Sequence, residues 1–190
     1  MNTLSISNLS KTYPNGVKAL DNINLEISNG MFGLLGANGA GKSSLMRTIA
    51  SLQEPSSGNI LFNGIDIIEY PQEVRKQLGY LPQEFGVYPK ISAERLLDHL
   101  AVLKGIVNKN ERNNQVEALL HQTNLFQHRK KAVFTFSGGM RRRIDLAGAL
   151  LANPPVLFLD EPTTGLDPRS RGELWDIIRE RVTEGTTVVL

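Results

Sequence analysis

The sequence predicts an α/β fold with a parallel sheet at its core, an antiparallel β-subdomain at the N-terminus and a small helical insertion. Two observations lead to this prediction. Apolar and polar residues alternate in the first thirty residues, whereas the later apolar runs are short, nearly continuous and separated by helical stretches. Alternation is typical of strands with one solvated face, and continuous runs are typical of parallel strands buried on both faces.

The antiparallel part is predicted from two strand pairs. Alternation over residues 4–6 and 23–27 indicates strands joined through the turn-rich "YPNG" segment. In "NILFNGIDI", residues 59–67, Asn63 and Gly64 separate two apolar runs. That dipeptide favours a tight hairpin because both turn positions need positive φ.

Four later runs, "MFGLLG", "LGYLP", "VLFLD" and "TTVVL", predict the parallel strands at residues 31–36, 78–82, 156–160 and 186–190. Between them, leucines at helical spacing follow Ser92 and stop at Gly105, and a second helical pattern includes Val116 and Leu119. We expect these helices to bury their apolar faces against one another rather than to bind a ligand. A capping box of Ser170 and Glu173 predicts the start of the last helix.

The bulk composition limits the class of function. The 190 residues suit one domain, and 21 basic against 19 acidic residues leave a net charge of +2, so no global field favours a polyanion. With neither a long apolar span nor a secretory leader, we expect a cytosolic chain. There is no cysteine, and the three histidines lack zinc-site spacing, so a metal would be held by oxygen.

The segment "GLLGANGAGKSSLMRTIA" contains the GxxxxGK[ST] phosphate-binding pattern between an apolar strand and a helix. Glycine-rich backbone and the helix N-terminus gather amide groups around phosphate, the lysine reaches the β/γ oxygens, and the first serine offers a hydroxyl to Mg²⁺. A chance glycine-rich turn of this pattern is expected in about one chain in a hundred. The predicted nucleotide-binding residues here are Gly36, Asn38, Gly39, Ala40, Gly41, Lys42, Ser43 and Ser44.

A hydrolytic carboxylate pair follows the strand in "PPVLFLDEPTTGLDP". The carboxyl ends of parallel strands are where ligands of open α/β sheets bind. Asp160 is predicted to hold the Mg²⁺ shell and Glu161 to act as general base toward water, which favours hydrolysis over phosphoryl transfer. The alternative is a strand end that carries solvated charge. We therefore predict a P-loop NTPase with a RecA-like parallel sheet core.

In combination, these motifs resemble the ATP-binding subunit, or nucleotide-binding domain, of an ABC transporter. They occur in the family's order along nearly the whole chain: Tyr13, "GANGAGKS", Gln83 in "YLPQE", "FSGGM", "LFLDE" and "TTGLD". By this resemblance the domain covers residues 1–190, with antiparallel β and the phosphate-loop core in 1–83. A helical subdomain would span 84–153, and the rest of the core would span 154–190, incomplete at its C-terminus.

The resemblance also implies roles for individual residues. Tyr13 would stack on adenine. Gln83 would approach Mg²⁺ and the attacking water, as both a metal ligand and a catalytic residue, and the segment after it would couple the ATP site to the helical insertion. Ser137, Gly138 and Gly139 would cover the γ-phosphate of ATP bound to a second subunit, and Asp167 would belong to a loop that crosses between subunits. Each role has an alternative: Tyr13 could be only a turn residue, Gln83 only a polar strand end, and Asp167 only the residue before Pro168 at a helix N-terminus.

The implied partners are a second ATP-binding subunit, as a homo- or heterodimer, and transmembrane permease subunits, at the inner face of the cell membrane. Phe136 and Met140, on either side of the "SGG" motif, resemble the multidrug and antibiotic-export variant. The family's histidine-bearing loop is absent after "TTVVL", so a truncated subunit is expected. Two alternatives are a nucleotide-binding module with little turnover and a soluble ABC-type ATPase of translation or DNA repair.

Three arginines follow the glycine pair, directly after Met140. With Ser137 as N-cap of a helix, we expect this run on a solvated or inter-subunit face, where Arg141 could pair with Asp145 four residues later. The near-neutral charge of the chain argues against nucleic acid as their partner.

Overall fold

Two four-stranded sheets organise the computed structural model, which describes residues 3–83 and 90–190. The antiparallel sheet has the order β2-β1-β4-β5, with β1 Leu4–Thr12, β2 Lys18–Ile27, β4 Ser57–Phe62 and β5 Ile65–Asp66. The parallel sheet has the order β3-β8-β7-β6, with β3 Met31–Phe32, β6 Leu78–Leu81, β7 Val156–Leu159 and β8 Thr187–Val189. The predicted division into antiparallel and parallel sheets is confirmed.

The hairpin between β4 and β5 has the predicted turn. Asn63 and Gly64 both have positive φ, 50° and 82°, and the strands pair with Phe62 opposite Ile65. β1 pairs with both β2 and β4, so it occupies the interior of this sheet.

The parallel strands are shorter than the apolar runs that predicted them. β3 ends at Phe32, and the Leu34 amide still donates to the backbone oxygen of Leu190 at 2.7 Å before the chain enters the phosphate loop. β7 pairs with β6 on one side and β8 on the other, and all of its residues are buried. Its alternate side chains enter two different apolar clusters: Leu157 and Leu159 face one, Val156 and Phe158 the other.

Six α-helices occur in the described residues 3–83 and 90–190: α1 Lys42–Ile49, α2 Pro71–Gln77, α3 Ala93–Leu103, α4 Lys109–Gln122, α5 Gly138–Leu150 and α6 Pro168–Thr183. Helices α3, α4 and α5 contribute to one apolar cluster, as the predicted helical insertion requires. The predicted start of this insertion at residue 84 lies outside the described residues. None of the described helices is both long and apolar enough to cross a membrane.

The predicted start of α6 is wrong. The helix begins at Pro168, and the side chain of Asp167 accepts a hydrogen bond from the Ser170 amide at 3.0 Å, which makes Asp167 the N-cap. Proline fixes a helical φ at the first position, so the helix starts earlier than the Ser170 and Glu173 pattern indicated. Glu173 instead forms ion pairs with Arg143 at 3.0 Å and Arg169 at 3.1 Å.

Candidate nucleotide-binding site

The phosphate loop connects β3 to α1 and is shaped by glycines. Gly39 and Gly41 have φ of 84° and 91°. A Cβ atom at Gly41 would lie 2.2 Å from the backbone oxygen of Ala19 in β2, so the close approach of the loop to β2 requires glycine there. Gly41 is also the N-cap of α1 and makes no side-chain cap, so the partial positive charge of this helix end faces the loop.

Lys42 bends back over the loop. Its Nζ donates hydrogen bonds to the backbone oxygens of Gly36 at 2.6 Å and Ala37 at 2.9 Å. Residues 35–40 are exposed, and Leu35 retains 97% of its accessible surface. The ammonium group therefore lies on an open loop, where it can exchange carbonyl oxygens for the oxygens of a bound phosphate.

Ser43, in the first turn of α1, is in contact with Asp160, which directly follows β7. The Ser43 hydroxyl donates to Oδ1 of Asp160 at 3.1 Å. Asp160 is only 5% exposed, and its amide donates to the backbone oxygen of Leu81 at 2.9 Å, which fixes it at the end of β7 beside β6. A hydroxyl and a carboxylate are oxygen donors that Mg²⁺ prefers, so this pair fits the ion.

Gln83 and Glu161 are joined directly. The Gln83 side-chain amide and the Thr164 hydroxyl both donate to Oε2 of Glu161, each at 3.1 Å. Glu161 has a φ of 47°, a left-handed conformation that is uncommon outside glycine. The structure therefore holds an exposed carboxylate at the end of β7 through two side-chain donors, of which Thr164 was not predicted from the sequence.

Tyr13 is tied to α1 through its hydroxyl. The hydroxyl shares a hydrogen bond with Ser44 Oγ at 3.0 Å and donates to Oε1 of Gln53 at 3.1 Å. The Gln53 amide in turn donates to the backbone oxygen of Ser44 at 2.9 Å and to Thr48 Oγ1 at 2.8 Å. Gln53 carries no motif that marks it in the sequence, but it fixes the aromatic ring beside the phosphate loop.

The signature segment, residues 137–139, forms a separate exposed group with Asp167. Ser137 is the N-cap of α5 and accepts a hydrogen bond from the Met140 amide at 3.3 Å, as predicted. A Cβ at Gly139 would lie 2.5 Å from Ser170 Oγ, so the start of α5 packs against the start of α6. Within residues 3–83 and 90–190, no hydrogen bond joins this segment to residues 36–44.

The predicted site residues thus fall into two groups. The first group contains the phosphate loop with Tyr13, Gln83, Asp160 and Glu161. The second contains the signature segment and Asp167. The segment that follows Gln83, which the resemblance assigns to coupling with the helical insertion, lies at residues 84–89, outside those described.

The three arginines of α5 do not share the solvated or inter-subunit face that we expected, because Arg142 is buried whereas Arg141 is partly exposed. Arg142 is 7% exposed and Asp145 is 3% exposed. Arg143 pairs with Glu173 of α6 and donates to the backbone oxygen of Thr123. The helical period contained the missing signal, because Leu146 and Ala149 follow Arg142 at helical spacing and are buried on its face.

A family model described as ABC transporter matches residues 20–164. The chain belongs to the ABC transporter family. The family that the sequence motifs predicted is therefore confirmed. The roles of the individual site residues remain predictions.

Curated ABC relatives include antibiotic-resistance proteins. The daunorubicin/doxorubicin resistance ATP-binding protein DrrA of Streptomyces peucetius is 40% identical over 188 residues, which cover 98% of this chain and 56% of that protein. DrrA3 of Streptomyces coeruleorubidus, a daunorubicin resistance ATP-binding protein, is 41% identical over 174 residues, 91% of this chain and 55% of that protein. The chain spans about half the length of these curated relatives. The names of these relatives agree with the multidrug and antibiotic-export variant that Phe136 and Met140 indicated.

Solved ABC structures confirm the P-loop NTPase fold. An ATP-binding subunit of an ABC transporter superimposes with a TM-score of 0.85 and 29% identity, covering 98% of this chain and 78% of that one. The ATP-binding cassette MJ0796, in a dimeric post-hydrolysis state bound to ADP and Pi, superimposes with a TM-score of 0.87 and 26% identity. That match covers 98% of this chain and 86% of the cassette.

Proposed function

We propose that this chain is the ATP-binding and ATP-hydrolysing part of an ABC transporter, and that it couples ATP-driven dimer closure to export across the cytoplasmic membrane. The observation that carries the proposal is the junction of the phosphate loop with the carboxylates after β7. Ser43 contacts Asp160, and Gln83 contacts the adjacent Glu161. A phosphate-binding loop beside a candidate metal ligand and a candidate base favours hydrolysis over binding alone.

The oxygen atoms of Ser43 and Asp160 would hold Mg²⁺, and Gln83 would contribute through its amide oxygen, since its nitrogen donates to Glu161. When bound, Mg²⁺ would supply positive charge that offsets the negative charge of the phosphates. Lys42 and the amides at the start of α1 would bind the phosphates, with Gly36, Asn38, Gly39, Ala40 and Ser44 forming the rest of the cradle. Tyr13 would stack on adenine.

Glu161 would accept a proton from the water that attacks the γ-phosphorus of ATP. The bond from that phosphorus to the β–γ bridging oxygen breaks, and ADP and inorganic phosphate are released. Gln83 and Thr164 hold the Glu161 carboxylate through the same oxygen, Oε2, so its other oxygen is the one that would take the proton.

The exposed second group of predicted site residues supports a dimer. Residues 137–139 present a helix N-terminus at the surface, and the phosphate loop is open on its outer side. One copy's signature segment and Asp167 would therefore cover ATP on the other copy's loop. Transmembrane permease subunits would receive the movement, and the chain would then lie at the inner face of the cell membrane. The names of the resistance relatives favour this role over translation or DNA repair.

Phosphate release by the whole protein, measured beside a Lys42→Ala variant, tests the proposal. We expect turnover well above that of the variant, because Lys42 lies on the loop that would bind the β- and γ-phosphates. Equal rates, with ATP still bound, would leave a binding module without turnover. Purification with ribosomes or DNA and without a membrane protein would support the soluble ABC class instead.

A further inference from the structure

Arg142 lies between α5, the helix that begins with the signature segment, and the two loops that follow β6 and β7. Its guanidinium group is buried and donates hydrogen bonds to five backbone oxygens. Nε donates to Pro162 at 2.8 Å, one terminal nitrogen to Pro82 at 2.6 Å and Gln83 at 3.3 Å, and the other to Asp160 at 2.9 Å and Glu161 at 3.0 Å.

These acceptors belong to two separate loops, one after β6 and one after β7. A planar guanidinium presents donors in a fixed fork, so it can hold two loops at a set distance, which the compact ammonium of a lysine cannot do. Hydrogen bonds from a charged donor are also stronger than neutral ones, especially where water is excluded. Arg142 therefore defines where these loops lie relative to α5.

The loop after β7 contains a backbone strain that needs support. Glu161 has a φ of 47°, and such conformations persist where surrounding contacts hold them. Arg142 donates hydrogen bonds to the carbonyl oxygens of Asp160 and Glu161, which belong to the two peptide groups that flank the strained residue. It thus orients the backbone that carries the candidate base, although it does not touch the carboxylate of Glu161 in any described hydrogen bond.

Arg142 also lies four residues after Gly138, where α5 begins. A rigid helix turn therefore connects the signature segment to the Gln83 and Glu161 loops of the same chain. We propose that Arg142 is a positioning residue that transmits engagement of the signature segment to the catalytic loops. In a dimer, the signature segment of one chain would contact ATP bound to the partner's phosphate loop. Through Arg142, ATP binding at that loop would then orient Glu161 of the chain that carries the segment. This inference rests on the proposed function.

The first test compares Arg142→Lys and Arg142→Met with Arg143→Lys in the whole protein. Arg143 is the matched control because it is also largely buried and joins α5 to another helix through Glu173. We expect both Arg142 variants to lower kcat at least tenfold, with the ATP Kd changed less than about threefold and the Hill coefficient for ATP reduced toward one. Arg142→Lys should retain more activity than Arg142→Met, and Arg143→Lys should keep kcat and the Hill coefficient.

A lower melting temperature with unchanged kcat and Hill coefficient in Arg142→Lys would overturn the proposal, because it would leave a purely structural role. A second measurement does not depend on the folding of an Arg142 variant. In a mixed dimer, one chain carries Lys42→Ala, so that its own loop does not retain ATP, and the other carries Glu161→Gln, so that its ATP persists. Amide hydrogen exchange is then followed in the Lys42→Ala chain.

ATP should slow exchange in that chain both at residues 137–141 and at residues 160–164, although its own loop is empty. Protection of 137–141 with unchanged exchange at 160–164 would overturn the positioning role and leave the proposed dimer intact. Failure to protect 137–141 at all would overturn the dimer site of the proposed function, and the inference with it.

Discussion

The hydroxyl of Ser43 donates a hydrogen bond to Oδ1 of Asp160, with 3.1 Å between the two oxygen atoms. These residues are 117 positions apart in the chain, at the start of α1 and after the end of β7. Parallel pairing of β6 with β7 and the hydrogen bond from the Asp160 amide to Leu81 bring the carboxylate to this position. Contacts within the protein therefore bring the two candidate Mg²⁺ ligands, the Ser43 hydroxyl and the Asp160 carboxylate, next to each other.

Asp160→Asn should weaken ATP binding at least tenfold when Mg²⁺ is present and change it little when Mg²⁺ is chelated. The amide keeps the shape of the side chain but removes the charge that attracts the ion. Isothermal titration calorimetry with and without Mg²⁺ measures both values. Asp21→Asn, on an exposed ion pair with Lys18, is the control. If Mg²⁺ raised the ATP affinity of Asp160→Asn as much as that of the wild type, the assignment of Asp160 as a metal ligand would be wrong.

Glu161→Gln should leave ATP affinity nearly unchanged and reduce hydrolysis, since a positioned base is typically worth about 10² to 10⁴ in rate. Single-turnover phosphate release separates this chemical step from product release. Glu73→Gln is a suitable control because Glu73 lies in an exposed pair with Lys76 on α2. If the Glu161→Gln rate stayed within about twofold of wild type, another group would have to accept the proton.

Asp167 should give the stability of α6 a measurable pH dependence. Hydrogen bonds from the Ser170 side chain and amide lower the pKa of Asp167 below its ordinary 3.8. The ionised cap is thus favoured in the folded state, so its stabilisation is complete above the ordinary pKa and is lost as pH falls through the lowered one.

Asparagine is also a good N-cap but does not titrate, so Asp167→Asn isolates the charge. The melting temperature of the wild type should exceed that of the variant at about pH 6, and the difference should shrink toward about pH 3. Circular dichroism melts over this range measure the effect. A difference that stays constant with pH would mean that the carboxylate charge is not what stabilises the helix end.

The sequence was most informative where a local pattern determines local geometry. The Asn63-Gly64 turn and the glycines of the phosphate loop need backbone conformations that few residues adopt, so their positions could be predicted without tertiary information. The parallel strands were predicted for a related reason, because burial on both faces leaves an uninterrupted apolar run such as that of β7.

The errors arose where tertiary contacts override local pattern. Helix α2 was not predicted from the sequence, because it has one buried residue, Val74, and so shows almost no amphipathic period. The helical spacing of Arg142 with Leu146 and Ala149 could have predicted its burial, but not its partners, because these are backbone oxygens of distant loops and backbone acceptors leave no mark in a sequence. Gln53 was missed for the same reason: its function depends on where the turn after α1 places it.

Gly41→Ala should abolish ATP binding, because the new Cβ would lie 2.2 Å from the Ala19 oxygen and push the phosphate loop away from β2. Gly16→Ala is a matched control with a similar φ of 83° and no neighbouring atom within 4 Å. It should show the left-handed strain alone, about 1 to 2 kcal/mol, and keep ATP affinity. Equal ATP affinities in the two variants would show that close contact with β2 is not what shapes the loop.

Gly79→Ala and Gly172→Ala should change stability in opposite directions. A Cβ at Gly79 in β6 would lie 2.4 Å from the backbone oxygen of Ala149 and 2.7 Å from a Leu157 methyl carbon, so β6 could not keep its approach to α5. Overpacking of this kind costs about 1 to 3 kcal/mol. Gly172 lies inside α6 with no atom within 4 Å of its Cβ position, and alanine there should stabilise the helix by about 1 kcal/mol. Urea unfolding of the two variants measures both free energies, and a stabilised Gly79→Ala protein would show that β6 and α5 are less closely packed than the structure indicates.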